Sequence, residues 1–374
     1  MKYYASWWDD SVLMQPFDFA VLGSGLIGKQ IAIKLKKNHP KARVAMIDRM
    51  PISYGASTRN AGFACFGSIT EIVDDLSQTP EQQVFETLHK RFIGIQQLVR
   101  EFGQAAIGYE ATGSYELFQS ASAFDFAQDH IDVINQKVAE YTAAKQVFKI
   151  QSTTNLNTGF YAKGIYNPYE GAINSGLLNQ VISEQSLALG VLPMFGFNVE
   201  SIQPISNGYE LIADSGLILK SKQLIIANNA FAKSFLPDQD IQPARGQIIL
   251  TKPLKQLSLN GIFHVDQGYY YFRHVGDRLL LGGGRQHFKS EENTFDFEGS
   301  ESVKNHLIDW MQEWILPKQS FEIETHWSGI MAMGQHKLPI VERVNEHLTC
   351  CVRMSGMGVA LGPVLSDQVL SLFE

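Results

Sequence analysis

A chain of 374 residues, 45% hydrophobic and 18% charged, is too long for one hydrophobic core and too apolar for disorder, so two domains are expected. With 31 basic against 38 acidic residues the formal net charge is −7, which excludes the broad basic face that non-specific nucleic-acid binding needs. No apolar run reaches the length of about 18 residues that a membrane helix requires, and Cys65, Cys350 and Cys351, odd in number and without CxxC spacing, predict a reducing, cytoplasmic setting with no disulfide framework and no zinc site.

The N-terminal segment carries Asp9 and Asp10 where a secretory signal would have its apolar core, and Trp7 and Trp8 are expected to tuck against the body. FDFAVL, from Phe17, reads as a buried strand, and Gly23-Ser24-Gly25-Leu26-Ile27-Gly28 leads into the apolar-periodic helix KQIAIKLKK, stopped near Pro40. ARVAMID is a second strand, ending at Asp48, twenty residues after Gly28. A GxGxxG turn is weak alone, but inside a strand–helix–strand unit with a correctly spaced acid it predicts a dinucleotide site. Gly23 makes the tight turn, Gly25 lets the backbone approach a pyrophosphate, and Gly28 lets the helix pack on the strand. The helix N-terminus faces the phosphates, and Asp48 accepts from ribose hydroxyls.

Beyond a polar, irregular stretch, Thr79-Pro80-Glu81-Gln82 has the form of a capping box with proline at the first helical position, opening a helix that runs to about Phe102. A second helical pattern spans about Phe124 to Tyr141. NSGLLNQVISEQSLALG predicts a helix closed by Gly190, VLPMFGFNVESI one strand, YELIAD and LILK a hairpin at Ser215-Gly216, and QLIIAN a separate buried strand ending at Asn228-Asn229. This antiparallel excursion with a return to the parallel sheet implies a first domain that resumes after an insertion. YYYFRH and RLLLGG flank a Gly276-Asp277 turn, SVKNHLIDWMQEWIL is helical, and HLTCCVRM, Ser355-Gly356-Met357-Gly358 and VLSDQVLSLF give a closing strand, glycine turn and helix.

The segment Gly55-Ala56-Ser57-Thr58-Arg59-Asn60-Ala61-Gly62-Phe63 resembles the "GAS-x-RNAG" stretch of the FAD-dependent oxidoreductases of the D-amino-acid oxidase, glycine oxidase and sarcosine oxidase superfamily. Pro243-Ala244-Arg245-Gly246-Gln247 resembles that family's "P-x-RGQ" segment, YYYFRHVGDRLLLGGG its substrate hairpin and SGMGVALGP its C-terminal flavin turn, in the same order along nearly the whole chain. The resemblance implies an α/β fold with a Rossmann-like FAD-binding domain from 1–107, 161–240 and 323–374, and an inserted mixed-sheet substrate domain from 108–160 and 241–322. It also implies that FAD is bound by Gly23, Gly25, Leu26, Ile27, Gly28, Asp48, Arg49, Ser57, Thr58, Arg59, Asn60, Ala61 and Gly62, with Val199, Asn228, Asn229 and Ala230 beside the adenine nucleotide. Gly356, Met357, Gly358, Val359 and Ala360 would stand at the pyrimidine edge of the flavin.

The family's reaction removes a hydride from the carbon next to an amine, passes it to flavin N5 and leaves an imine that water hydrolyses; oxygen or another acceptor takes the electrons. The sequence departs from the family where a Trp-x-Gly-Leu-Arg stretch would supply an arginine for the substrate carboxylate: here Trp327-Ser328-Gly329-Ile330 is followed by Met331. Arg273 and Arg245 are the replacement anchors, with Tyr269 and Tyr271 on the same strand face as Arg273. Leu280 stands where sarcosine-oxidase-like members carry an oxygen-activating lysine, and Met331 near their flavin-tethering cysteine, which implies non-covalent FAD. The substrate so implied is a small amine or amino-acid derivative. The alternatives are an NAD(P)-dependent dehydrogenase, which shares the glycine turn and Asp48, and a non-catalytic flavin-binding regulatory protein.

Overall fold

A computed structural model describes residues 4–257 and 259–373. The chain packs into two compact units, one of Met1–Thr58, Gly176–Gln242 and Met331–Glu374, the other of Arg59–Ser175 and Pro243–Ile330.

The first unit is built on a parallel sheet. Phe17–Leu22 pairs with Val44–Asp48 on one side and Ile218–Ile226 on the other, and Leu192–Phe195 and Leu348–Val352 extend the sheet in parallel at its two sides. These strands read as continuous apolar runs because both faces are covered. Helix Leu26–Asn38 packs against the C-terminal helix Gly358–Ser371, and Ile27, Ile31 and Leu35 share one core with Val21, Met46, Leu361, Leu365 and Val369. Each such side chain stabilises the unit by about 1.5–3 kcal/mol.

Two expectations about this sheet change. VLPMFGFNVESI forms two strands, Leu192–Phe195 and Val199–Ile205, because Gly196 adopts φ +70° between them. LILK and QLIIAN form one strand, Ile218–Ile226, whose first half pairs antiparallel with Gly208–Ala213 and whose second half joins the parallel sheet. Trp7 and Trp8 do not tuck in: they are 70% and 69% exposed. Their rings meet edge to face at 4.7 Å, and the turn Asp9–Leu13 that follows buries nothing to draw them inward.

The second unit holds an eight-stranded sheet in the order Ile323–Met333, Gln242–Thr251, Arg278–Gly283, Tyr270–Val275, Ile262–Val265, Ser114–Leu117, Lys163–Asn167, Lys149–Ser152. Ile262–Val265 meets Ser114–Leu117 in parallel. Side chains alternate across it: Phe272, Leu281 and Ile249 enter a large core with Phe263, Trp310 and Leu307, while Tyr271, Leu280 and Ile248 gather on the other face.

The units divide the chain differently from the expected boundaries, since residues 59–107, 161–175 and 323–330 lie in the second unit and 241–242 in the first. Helix Ile69–Gln78, in the stretch read as irregular, packs with Glu81–Phe102 and Ala121–Thr142, and Phe63–Ala64 pairs with Gly171–Ala172. Thr79 does not head a capping box. Its N–H donates to Asp75 O and ends the preceding helix, so Pro80 caps the next one. Among the described residues no helix is long and apolar enough to cross a membrane.

Candidate active site

In the first unit, Gly23 sits at φ +115° with its N–H donating to Ile47 O at 2.8 Å. A Cβ there would lie 2.7 Å from the Ala227 carbonyl, and one on Gly28 would lie 1.8 Å from Gly23 O. Only glycine allows the turn to close against both neighbouring strands. Gly25 caps helix Leu26–Asn38, and the Leu26 N–H donates to Ser57 Oγ at 2.9 Å.

Asp48 ends its strand under this turn. Its Oδ2 accepts from the N–H and Oγ–H of Ser24 at 3.0 and 2.7 Å, and its Oδ1 from Met50 N–H at 3.0 Å. One further acceptor position therefore remains for a hydroxyl. Arg49 lays its guanidinium over the Phe231 ring at 3.9 Å, and Thr58 Oγ1 donates to Ser53 O at 3.0 Å. Val199 opens its strand half-buried, Asn229 takes φ +56°, and Ala230 is buried.

The carboxyl edge of the parallel sheet fits a dinucleotide on its own terms. Asn228 Oδ1 and Ser355 Oγ, just past adjacent strands, are buried without a hydrogen-bond partner among the described residues. Arg353 and Ser355 hold φ +61° and +48°, and Gly356 φ +86°. Such strained backbone persists where the surroundings fix it, and here Arg353 is held by Asp240 at 2.7 Å. Met357 caps the last helix, so the first-turn N–H groups of Gly358, Val359 and Ala360 point out of it. The Met331 sulfur lies 3.6 Å from where a Cβ on Gly356 would stand.

In the second unit, the segment Arg59–Gly62 is clamped to the strand Ile323–Met333: Trp327 Nε1–H donates to Arg59 O at 3.1 Å and Arg59 Nε–H to Ser328 O. Asn60 Oδ1 accepts from Gly62 N–H at 2.8 Å and Ser175 Oγ–H at 2.7 Å. Gly62, at φ +72°, faces Arg273: a Cβ there would lie 3.0 Å from Arg273 Nη2. Ala61, Phe63, Tyr271, Leu280 and Trp327 share one apolar cluster on this side of the sheet.

Arg273 is 9% exposed, and its guanidinium makes no hydrogen bond or ion pair with any described residue. Burial lowers its pKa, with Glu110 opposing the shift, but a guanidinium stays charged. Leu280 is its direct cross-strand partner. Burial pushes the neighbouring Tyr271 phenol up to about 12, so that it remains a neutral donor.

Two of the expected pocket residues, Arg245 and Tyr269, stand elsewhere. Arg245 is already occupied: Nη2 meets Glu292 Oε1 at 2.7 Å, Nε reaches both carboxylate oxygens at 3.2 Å, and Nη1 donates to Glu298 O. Glu292 is wholly buried and also accepts from Gln247 Nε2–H at 2.8 Å. Glu292→Gln should therefore destabilise the protein by about 3–5 kcal/mol, because it leaves a buried cation uncompensated, a loss that urea denaturation measures. Tyr269 does not share the face of Tyr271. It precedes the strand in a turn closed by its N–H on Asp266 O at 2.9 Å, and it packs against the opposite core.

His264 is buried 3.4 Å from Glu170, whose other oxygen accepts from Phe66 N–H at 2.7 Å. Burial would lower its pKa, but the charge of Glu170, 3.4 Å away, with Glu71 and Glu116 nearby, reverses this and raises it above the ordinary histidine value. The stabilisation is fully present below the unfolded value and is lost as pH rises through the folded one. Urea midpoints measured against pH should therefore fall as pH rises above about 6.5, the ordinary histidine value, and His264→Asn should remove that fall. Among the described residues there is no cluster suited to a metal ion.

The family model described as FAD dependent oxidoreductase matches residues 18–371. Glycine oxidase of Geobacillus kaustophilus (strain HTA426) is 22% identical over 369 residues, covering 96% of this chain and 93% of its own. Among solved structures, glycine oxidase from Geobacillus kaustophilus superposes with a TM-score of 0.76 at 19% identity over 96% of this chain and 94% of that one. Iminodiacetate oxidase from Chelativorans sp. BNC1 does so with 0.75 at 16% identity over 95% of each chain. The glycine turn and Asp48 would serve a nicotinamide as well as a flavin, but with the family matched from strand Phe17–Leu22 to the last helix, the chain belongs to the FAD-dependent oxidoreductases and FAD is its cofactor.

Proposed function

We propose that this oxidoreductase oxidises the C–N bond of a small amine that carries a carboxylate, and that Arg273 grips that carboxylate. The observation that carries the reading is a buried guanidinium without a hydrogen-bond or ion-pair partner among the described residues, set against Gly62 in the very segment expected to pass the flavin. A buried guanidinium that no described residue holds by a hydrogen bond or ion pair has room for an anion from outside, and the planar fork of arginine suits a carboxylate. Glycine oxidase and iminodiacetate oxidase, which share the fold, are named for carboxylate-bearing amines.

When bound, FAD supplies the hydride acceptor at N5. The amine gives up a hydride and a proton to become an imine, water releases the carbonyl product, and oxygen or another acceptor takes the two electrons. Arg273 orients the substrate, the neutral Tyr271 phenol donates a hydrogen bond, and Phe63, Leu280 and Trp327 exclude water from the reacting carbon. FAD is held non-covalently by the turn Gly23–Gly28, Asp48 and the C-terminal glycine turn, since Cys65, Cys350 and Cys351 are all buried. Those free thiols also suit a cytoplasmic setting.

Turnover of glycine, D-amino acids, N-methylated amino acids and the corresponding decarboxylated amines, with an artificial electron acceptor and identification of the carbonyl product, tests the reading. Oxidation confined to carboxylate-bearing amines is expected. Equal oxidation of the decarboxylated amines would remove Arg273 from substrate recognition.

A further inference from the structure

Beneath the turn expected to hold FAD lies a lysine with no place in an ordinary core. Lys29, in the first turn of helix Leu26–Asn38, is 1% exposed, and no acid lies within ion-pair distance of it among the described residues. Its ammonium donates to Ser53 Oγ at 2.7 Å and to Asn179 Oδ1 at 2.5 Å. Ser53 Oγ, accepting from Lys29, directs its own hydrogen to Ser24, whose carbonyl oxygen lies at 3.0 Å and whose Oγ lies at 3.4 Å. Ser24 is fully buried and spends its N–H and hydroxyl on Asp48 Oδ2. A single chain of donors thus runs Lys29, Ser53, Ser24, Asp48, ending on the acid that faces the ribose.

We propose that Lys29 is a positioning residue for FAD: through Ser53 and Ser24 it fixes the rotamer and acceptor direction of Asp48 without touching the cofactor. This rests on the reading that Asp48 receives the FAD ribose. The lysine is retained at the expense of the fold, since burying an ammonium without a carboxylate disfavours its charged form. Burial pulls its pKa down to about 8, with the charge of Asp48 pushing the other way. A methionine would fill the same volume without that penalty. Stability and cofactor affinity therefore depend on Lys29 with opposite signs, which a purely structural lysine would not produce.

The test measures FAD affinity of the apoprotein by flavin-fluorescence quenching, alongside its urea midpoint. Lys29→Met should weaken FAD binding roughly tenfold, the loss of one charged hydrogen bond's worth of ordering, with an unchanged or higher midpoint. Ser53→Ala should weaken binding similarly, and the double variant no further, because both act through one chain. Asn179→Leu removes the other acceptor of Lys29 and should lower the midpoint while leaving FAD affinity unchanged. Wild-type affinity in Ser53→Ala, or equal weakening in Asn179→Leu, would overturn the proposal, and Ser53→Ala decides it even where Lys29→Met fails to fold. Wild-type affinity in Asp48→Ala would instead remove the ribose assignment on which it stands.

Discussion

Exchange of Arg273 for methionine should lower kcat/KM for a carboxylate-bearing amine by at least about a hundredfold, since two charged hydrogen bonds of about 1.5 kcal/mol each are lost and 1.36 kcal/mol is tenfold. The loss should lie mainly in KM, because the carboxylate is held alike before and during the reaction. The fold should not suffer. Arg273 has no protein partner among the described residues to leave stranded, and methionine matches the apolar cluster of Phe63, Leu280 and Trp327 beside it. A urea midpoint at or above that of the wild type, with kcat/KM reduced, identifies a binding residue. The contrast is Arg245, whose replacement would strand the buried Glu292 and unfold the protein before any kinetic question could be asked.

Gly28→Ala should yield colourless protein. The added Cβ would lie 1.8 Å from Gly23 O and 3.3 Å from Val21 Cγ1, so helix and strand must separate, a destabilisation of about 3 kcal/mol for overpacking of this kind. The displacement falls on the turn that receives the phosphates. Gly25→Ala should be gentler, since its Cβ would meet the rotatable Ser57 hydroxyl at 2.8 Å: the protein folds but holds FAD weakly. The flavin-to-protein absorbance ratio after purification orders the three proteins, wild type above Gly25→Ala above Gly28→Ala. A fully yellow Gly28→Ala protein would deny the turn its role.

The strand–turn–helix–strand unit was legible because its information is local: four glycine and acid positions within Gly23–Asp48 and two apolar strands state it without reference to the rest of the chain. What depended on distant partners was not legible. Arg245 and Arg273 look alike in sequence as arginines within predicted strand-rich segments, and only the approach of Glu292, 47 residues on, shows that one is occupied and the other open. Lys29 sits among the surface-like lysines of KQIAIKLKK, and its partners lie 24 and 150 residues away. Alternation puts Tyr269 on the face of Tyr271 only if both lie inside one strand, and the turn at Asp266 delays that strand to Tyr270. Trp7 and Trp8 failed for a different reason: burial needs a complementary surface, which one segment cannot disclose.

The most direct measurement is an anaerobic visible spectrum of the purified protein before and after addition of carboxylate-bearing amines, run beside the Arg273→Met protein. Yellow protein whose flavin bands bleach in the wild type and persist in the variant is the predicted result. Readmitted air would then distinguish oxygen from another electron acceptor. Flavin bands that no carboxylate-bearing amine bleaches, or that bleach equally fast without Arg273, would contradict it.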